Sequence, residues 1–393
     1  MPLKKNILLL TWFNFFTDFK LYAPIAIIYF AKVTGSYALG MGIFSVAMIS
    51  SALFEIPTGI FSDRIGRKKT IILGAVAAVL YSVFYAIGQS FLFLAIGALF
   101  EGLSRSFYSG NNDAFLYDTL AETGEEHSYD EFLGRVSAMF QWALAVSAVL
   151  GGLLAAFSFP LLMWLSVVPQ VAGFFISLKL TEPKVHSAKS GNMYVHLKAA
   201  FDNFIHNKKL RLLSVASILG YAFGEAGYQF QSAFYGTLWP IWAIGIAKTV
   251  SNIGAAISFH FSGKIIKKFG GLKILIIDNV TNRIVNIFST AMPTVFSPAL
   301  MSSTSVFYGV TTITKNSLMQ KEFTNAQRAT MGSLNSFAGS IVFGIFAFIL
   351  GLVADKIAPS KALLTLQLFQ IINLYFYWKL FKHEEKAQAK VIS

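Results

Sequence analysis

Long uncharged stretches recur along the chain and dominate its hydrophobic pattern. Residues 33–53, 70–88, 136–178, 292–314 and 329–354 contain no charged side chain. Each is long enough for a helix to cross a hydrocarbon core of about 30 Å. A single such run could be a buried helix of a soluble protein, but a whole series predicts a chain that crosses a membrane repeatedly.

The complete pattern predicts twelve helical spans. The first is an uncleaved span rather than a signal peptide, because no small-residue cleavage site follows its apolar start. The predicted spans are residues 6–31, 37–60, 70–88, 91–117, 132–156, 159–180, 210–235, 237–262, 272–290, 293–315, 328–354 and 360–381.

Six predicted spans lie before residues 181–209 and six lie after them. This segment is the one long polar connection in the sequence and opens with Glu182, Pro183 and Lys184. We therefore expect an all-α membrane protein with twelve transmembrane helices in two pseudo-symmetric six-helix bundles. The bundles would be residues 1–180 and 210–393, joined by a cytoplasmic linker of residues 181–209.

Composition agrees with lipid as the solvent, since 55% of the 393 residues are hydrophobic and 13% are charged. The net charge of +13 does not indicate nucleic-acid binding, because the basic residues are not gathered into one domain. They concentrate in alternate connections, whereas the opposite ones contain only Lys32, Lys356 and Lys361. The positive-inside rule then predicts a multi-pass inner-membrane protein with both termini in the cytoplasm.

The connection between the second and third predicted spans reads GIFSDRIGRKK over residues 59–69. A glycine at position 66 permits a tight turn, and four cations hold the segment at the inner surface. Cationic anchoring alone would not require Asp63. The string resembles the loop signature of the major facilitator superfamily, G-x-x-x-D-R-x-G-R-K/R-x, at every defining position.

That resemblance implies a conformational lock at the inner ends of the two bundles. Asp63 would contact the start of the eleventh helix near Met331, and Arg64 or Arg67 would reach Asp118. We expect Asp113 to act in gating or coupling as well. The full predicted gating set is Gly59, Asp63, Arg64, Gly66, Arg67, Asp113 and Asp118. A degraded copy of the loop, GKIIKKFGG over residues 263–271, has lysine in place of the acidic residue.

Charged residues inside predicted spans need a partner or a water-filled cavity, because a charge at mid-bilayer costs at least about 2.5–3.5 kcal/mol. In the superfamily, spans one, four, seven and ten line the central cavity, which makes Asp18, Glu101, Arg105 and Glu225 candidates for binding substrate or protons. Glu101 and Arg105 are one helical turn apart, in the favourable order for an intrahelical pair. Asp18 and Lys20 point to different faces and are not expected to pair.

Glu225 lies among glycines and aromatic residues, where burial would favour the protonated form that a proton carrier needs. Aromatic and amide side chains that could line the same cavity are Tyr108, Tyr221, Tyr228 and Gln231. Packing against lipid or other helices is the alternative for each ring. Asp278 and Arg283 are expected to satisfy each other or a neighbour at the periphery.

Two features of the family are missing. The fourth span lacks the arginine that many proton-coupled relatives carry, since the corresponding residues are ALFEG over 98–102. The fifth span lacks the proline of drug–proton antiporters. Transport direction therefore has no sequence marker.

The sequence contains no P-loop, no H-E-x-x-H and no G-x-S-x-G, so neither direct ATP coupling nor enzyme chemistry is supported, and no cofactor or metal is expected. We predict a monomeric secondary transporter in the lipid bilayer that exports a small amphipathic or cationic compound, with protons as coupling ion. The alternatives are an uptake permease for a nutrient or metal chelate and, from another class, a non-transporting receptor or scaffold.

Overall fold

The computed structural model describes residues 2–184, 204–322 and 328–392, and these are helical almost throughout. Each of the twelve predicted spans coincides with one helix or with a run of consecutive short helices. Among the described residues, seven helical stretches are long and apolar enough to cross a membrane, including 67–87 and 331–356. An all-α membrane protein is therefore confirmed.

Contacts divide the chain into two compact units, residues 1–189 with 239–249 and residues 190–238 with 250–393. The predicted linker 181–209 falls largely on residues 185–203, which lie outside the described part. The helices before residue 204 are α1 Pro2–Asp18, α2 Ala26–Thr34, α3 Tyr37–Ile65, α4 Arg67–Ile87, α5 Phe91–Tyr108, α6 Asn111–Thr123, α7 Tyr129–Phe157, α8 Phe159–Leu165 and α9 Val167–Leu178.

The helices after residue 207 are α10 Lys208–Tyr235, α11 Ile241–Phe269, α12 Gly271–Ala291, α13 Ser297–Ser303, α14 Tyr308–Lys321, α15 Arg328–Lys356, α16 Pro359–Phe369 and α17 Ile371–Ile392. Short 3₁₀ turns occupy Ala23–Ile25, Glu126–Ser128 and Thr304–Phe307. Side-chain caps fix some of the helix starts. Ser36 accepts the Leu39 N–H at 3.2 Å and Asn207 accepts the Leu210 N–H at 2.9 Å.

Several spans predicted as continuous helices are interrupted, and two of the breaks position polar groups. The first span breaks after Asp18, because Pro24 lacks an N–H and its ring clashes with the carbonyl four residues earlier. The fourth span breaks at Gly110, whose φ of +66° other residues rarely adopt. The helix therefore restarts at Asn111 in a new direction.

Each unit has its own buried core. In the first unit, Leu10, Phe13 and Phe115 belong to one cluster that joins α1, α4 and α6. In the second unit, Leu213 and Tyr377 belong to a cluster that joins α10 with α12 and α17. These cores hold the helices in register, so polar side chains on neighbouring helices can meet.

Candidate functional site

Glu101 lies buried on α5, and three side chains hold its carboxylate. Lys20 Nζ lies 2.7 Å from Oε1, and Arg105 Nη2 lies 3.3 Å from the same oxygen. The Tyr85 hydroxyl donates to Oε2 at 2.9 Å. Lys20 Nζ also lies 5.2 Å from the centroid of the Tyr81 ring. Both carboxylate oxygens are therefore satisfied without water.

The break in the first span explains how Lys20 reaches this position. Its carbonyl is the one four residues before Pro24, and it accepts instead the N–H of Ala23 at 3.1 Å. Lys20 thus lies in the turn between α1 and α2, where its side chain extends towards α5. The sequence predicted that Lys20 would not pair with Asp18, and its observed partner is Glu101.

Together with half-buried Asp18, these residues form what we call the Glu101 cluster: Asp18, Lys20, Tyr85, Glu101 and Arg105. Asp18 lies two residues before Lys20 and within electrostatic reach of Lys20 and Arg105. The two acids and two bases balance formally, as buried charges require. The predicted pair of Glu101 with Arg105 exists, but the Arg105 side chain is 47% exposed and that of Lys20 is 15% exposed. Lys20 is therefore the closer and more desolvated partner.

Tyr108 is half-buried and packs against the core of the first unit. Its ring lies edge-on to Phe13 with centroids 5.3 Å apart. It also covers Gly74 of α4, where an added Cβ would lie 2.4 Å from the ring. This agrees with the packing alternative for this ring, and a role for Tyr108 in substrate binding stays a prediction.

On α10, Glu225 is half-buried and accepts a hydrogen bond from Gln229 Nε2 at 2.7 Å. Tyr221 and Tyr228 lie four residues before and three after it, on the same helix face, with 40% and 36% of their surfaces exposed. Gln231, which was predicted to line the cavity, is six residues from Glu225 and so lies off this helix face; its role stays a prediction. The amide that contacts Glu225 is that of Gln229.

A carboxylate just after the sixth predicted span binds backbone N–H groups of the signature loop, residues 59–69. Glu182 accepts the N–H of Arg67 and the N–H of Lys68, both at 2.7 Å. Free N–H groups and the helix dipole make the start of α4 a favourable place for this negative charge. Gly66 adopts φ +97°, and a Cβ there would lie 2.8 Å from Glu182 Oε1. Glycine is thus required both by backbone conformation and by space.

Arg67 links this loop to α6. Its Nε lies 3.6 Å from Asp118 Oδ2, and its Nη1 donates to Ser62 Oγ at 2.9 Å. Ser62 in turn donates to Asn111 Oδ1 at 2.6 Å, and Asn111 Nδ2 donates to the Arg67 carbonyl at 3.2 Å. Of the two arginines proposed to reach Asp118, Arg67 is the one that does, whereas Arg64 is exposed.

The remaining gating residues have no observed partner that tests their role. The side chain of Asp63 lies outside the described residues, so its contact with Met331 stays a prediction. Asp113 is exposed at the start of α6. Gly59 is exposed within α3, and among the described residues no atom beyond its own helix backbone and chain neighbours lies within 4 Å of an added Cβ there.

Asp278 and Arg283 on α12 were expected to satisfy each other or a neighbour, and each binds a neutral amide. The Arg283 guanidinium donates to the side-chain oxygens of Gln367 and Gln370. Asp278 accepts from Asn282, one turn along the same helix. Gln370 Nε2 also donates to the carbonyl of Phe223 on α10, at 2.9 Å. These contacts tie α10 and α12 to the end of α16.

Sequence reasoning did not place several residues in these networks, among them Lys20, Tyr85, Asn111 and Glu182. A signal existed for two of them. Lys20 precedes Pro24 by four residues, which marks a helix break, and Glu182 follows the last apolar residues of the sixth span. Tyr85 and Asn111 had no signal that separates them from other polar residues in helices, since their partners lie on other elements.

Comparison with known proteins gives one family. Residues 7–347 match the Major Facilitator Superfamily. The "Uncharacterized MFS-type transporter YxaM" of Bacillus subtilis is 20% identical over 375 residues, which cover 91% of each chain. "Multidrug resistance protein 2" of the same organism is 23% identical over 276 residues, or 67% of each chain. The crystal structure of the nucleoside transporter NupG superposes with a TM-score of 0.80 at 16% identity, covering 97% of this chain and 100% of that one.

Proposed function

The chain belongs to the Major Facilitator Superfamily, and from this premise we propose that it exports an amphipathic or cationic organic compound in exchange for protons. The family match and the transporter relatives establish a membrane transport protein rather than an enzyme. Direction, coupling ion and substrate class are our proposal. It is carried by one observation, the buried Glu101 carboxylate shared between two cations.

Protonation of Glu101 would change the charge balance of the whole cluster. The ionised carboxylate neutralises Lys20 at 2.7 Å, and a proton on Oε1 or Oε2 would cancel that attraction. A buried cation without its counter-ion is costly, so Lys20 would have to rehydrate or move towards Asp18. Protonated and ionised Glu101 would thus favour different arrangements of α1, α2 and α5. This is the property required to couple a proton to alternating access.

The signature loop would gate the inner ends of these helices. Arg67 connects the start of α4 to Asp118, and Glu182 connects it to the end of α9. A rearrangement that separates α4 from α6 must break the Arg67 contact. We propose that the loop stabilises one of the two access states, in the manner that the family resemblance implies.

Glu225 would bind the positive end of the substrate. Its carboxylate is held by a neutral amide rather than by a cation, so its negative charge is not cancelled by that bond. The exposed rings of Tyr221 and Tyr228 lie on the same helix face, and aromatic rings attract organic cations. The relative named Multidrug resistance protein 2 supports export of such compounds.

Transport into proteoliposomes tests this function. Vesicles with an acidic interior should accumulate the organic cation ethidium several-fold faster than vesicles without a pH gradient. Glu101→Gln should remove the acceleration, because a neutral amide cannot carry the proton, but should keep ethidium exchange at equal pH. Glu225→Gln should raise the KM for ethidium at least tenfold.

Glu126→Gln is the matched control, since Glu126 is an exposed acid in a short 3₁₀ turn outside the cluster. It should behave as the unmodified protein does. Ethidium accumulation that ignores the gradient, or a gradient response that survives Glu101→Gln, would contradict proton coupling at this carboxylate.

A second candidate is uptake of an organic anion with a proton, a form of the uptake permease considered above. The observation in its favour is that Lys20 and Arg105 share one carboxylate oxygen. Protonation of Glu101 would release both cations to bind an anionic solute. Vesicles with an alkaline interior would then accumulate radiolabelled benzenesulfonate, which stays ionised and does not cross protein-free bilayers readily, and ethidium would not move in response to either gradient.

A further inference from the structure

The degraded copy of the signature loop, residues 263–271, lies in a stretch of the sequence without acidic residues. No Asp or Glu occurs between Glu225 and Asp278, whereas Lys264, Lys267, Lys268 and Lys273 fall within or beside the loop. All four are exposed. Within the described part of the chain, neither Lys264 nor Lys268 makes an ion pair. Their charges are therefore available to an external anion.

An apolar groove of about 650 Å³ lies beside these lysines, within the second unit. Helix α11 forms one wall, α12 forms another, and the 3₁₀ turn before α14 closes the third side. Ile257, Phe261 and Ile277 line the groove, and each is 44–51% exposed. The lining is apolar apart from Ser258 and the two lysines.

Lys264 and Lys268 lie at one end of the groove and are one helical turn apart on the same face of α11. Lys264 Nζ lies 6.0 Å from the Phe261 ring centroid, and Lys268 Nζ lies 5.2 Å from that of Phe269. From Ile257 to Lys268 the helix rises about 16 Å. This is close to half of the roughly 30 Å hydrocarbon core, the depth of one leaflet. The groove therefore begins at a pair of lysines and has about the length of one leaflet.

We propose that this groove is a binding site for an anionic phospholipid of the leaflet that faces the loop. The lipid phosphate would lie between Lys264 and Lys268, and one acyl chain would lie along Ile257, Phe261 and Ile277. A soluble anion would use the lysines but leave the groove empty, whereas a neutral lipid would fill the groove but leave the two charges unpaired. The combination of a paired cationic mouth and a leaflet-deep apolar groove fits an anionic lipid. The proposal does not depend on which solute the protein transports.

Lipid titration of the purified, delipidated full chain tests the site. Native mass spectrometry would count bound phosphatidylglycerol and phosphatidylcholine with identical acyl chains. One phosphatidylglycerol should be retained at least fivefold more tightly than phosphatidylcholine. The double variant Lys264→Gln and Lys268→Gln should weaken phosphatidylglycerol binding about 25-fold, since each lysine near an anionic lipid contributes about fivefold.

Two further variants distinguish a specific lipid site in the groove from general attraction by surface charge. Lys267→Gln with Lys273→Gln removes the same charge from residues that do not line the groove, and should weaken binding less than threefold. Ile277→Trp keeps all lysines and fills the groove, and should weaken both lipids at least fivefold. Thermal unfolding of each variant would show that it is folded, and exposed Ile277 should tolerate the larger ring.

Three outcomes would overturn the proposal. Equal losses in the two lysine double variants would indicate diffuse surface charge. Equal retention of the two lipids would mean that the site does not distinguish between their headgroups. Unchanged binding in Ile277→Trp, together with displacement of the lipid by millimolar inorganic phosphate, would indicate a site for a free anion.

Discussion

The two copies of the loop have the same backbone conformation at one glycine and differ in the side chains that contact them. Gly66 and Gly270 occupy equivalent positions and both have positive φ, +97° and +79°. At Gly66 the following helix start is capped by Glu182, and Arg67 reaches Asp118. At Gly270, within the described residues, no side chain accepts the N–H groups that open α12, and the adjacent lysines are exposed. The backbone turn thus forms without the Glu182 and Asp118 contacts, which within the described residues occur at the first copy.

The same contrast appears in the interior of the two units. Glu101 is neutralised by cations, whereas Glu225, Asp278 and Arg283 are each held by neutral amides. Protonation of Glu101 would leave two cations without their shared counter-ion, whereas protonation of Glu225 or Asp278 would leave only a neutral amide as the partner. The comparison therefore predicts that the first unit contains the switch and that the second holds its charges in place.

The largest expected difference in stability is between the variants Glu101→Gln and Glu225→Gln. Glu101→Gln leaves Lys20 buried without its counter-ion and should destabilise the protein by about 3–5 kcal/mol. Glu225→Gln keeps a polar partner for Gln229 and should change stability by less than about 1 kcal/mol. Thermal unfolding in a mild detergent measures both. Similar losses for the two variants would remove the distinction between the units.

The next effect compares the two glycines. Gly66→Ala should cost about 2–4 kcal/mol, because a strained backbone alone costs about 1–3 kcal/mol and the new Cβ also displaces Glu182. Gly270→Ala has open space around the Cβ and should cost only the strain of about 1–2 kcal/mol. The same unfolding assay applies. Equal costs would show that Glu182 contributes nothing to the first loop.

Glu182→Gln tests the cap directly and should cost about 1–2 kcal/mol, since it replaces a charge at a helix start by a neutral amide. The matched control is Glu122→Gln, because Glu122 accepts the single N–H of Lys184 at 2.7 Å, away from any helix start. Chemical unfolding in mixed detergent and denaturant micelles would resolve the two. A larger loss in the control would contradict the capping role.

The smallest effects are expected at the equivalent exposed cations Arg64 and Lys268. Substitution of either by Gln should change stability in lipid-free detergent by less than about 0.5 kcal/mol. Thermal unfolding before and after addition of phosphatidylglycerol would separate them, because added lipid should stabilise Arg64→Gln more than Lys268→Gln. Equal stabilisation by lipid would place the lipid elsewhere.

The sequence alone determined the helices, the membrane and the family. In lipid, an uncharged run of this length satisfies its backbone N–H and C=O groups by forming a helix. The local pattern is therefore sufficient to predict the spans. The loop signature depends on neighbours in sequence, and its glycine needs no distant partner to be recognised. The break before Pro24 could also have been predicted from the sequence, because proline lacks an N–H. The span was nevertheless predicted as one continuous helix.

Only the tertiary structure decided which charges meet. Lys20 and Glu101 are 81 residues apart, and Glu182 and Arg67 are 115 residues apart. Periodicity tells which side chains share a helix face, but not which neighbouring helix that face meets or how far each helix is rotated. For the same reason, the hydrogen bond from Gln229 to Glu225 was not predicted. Such contacts are set by how whole helices pack, a property of the chain as a unit that no short stretch of residues contains.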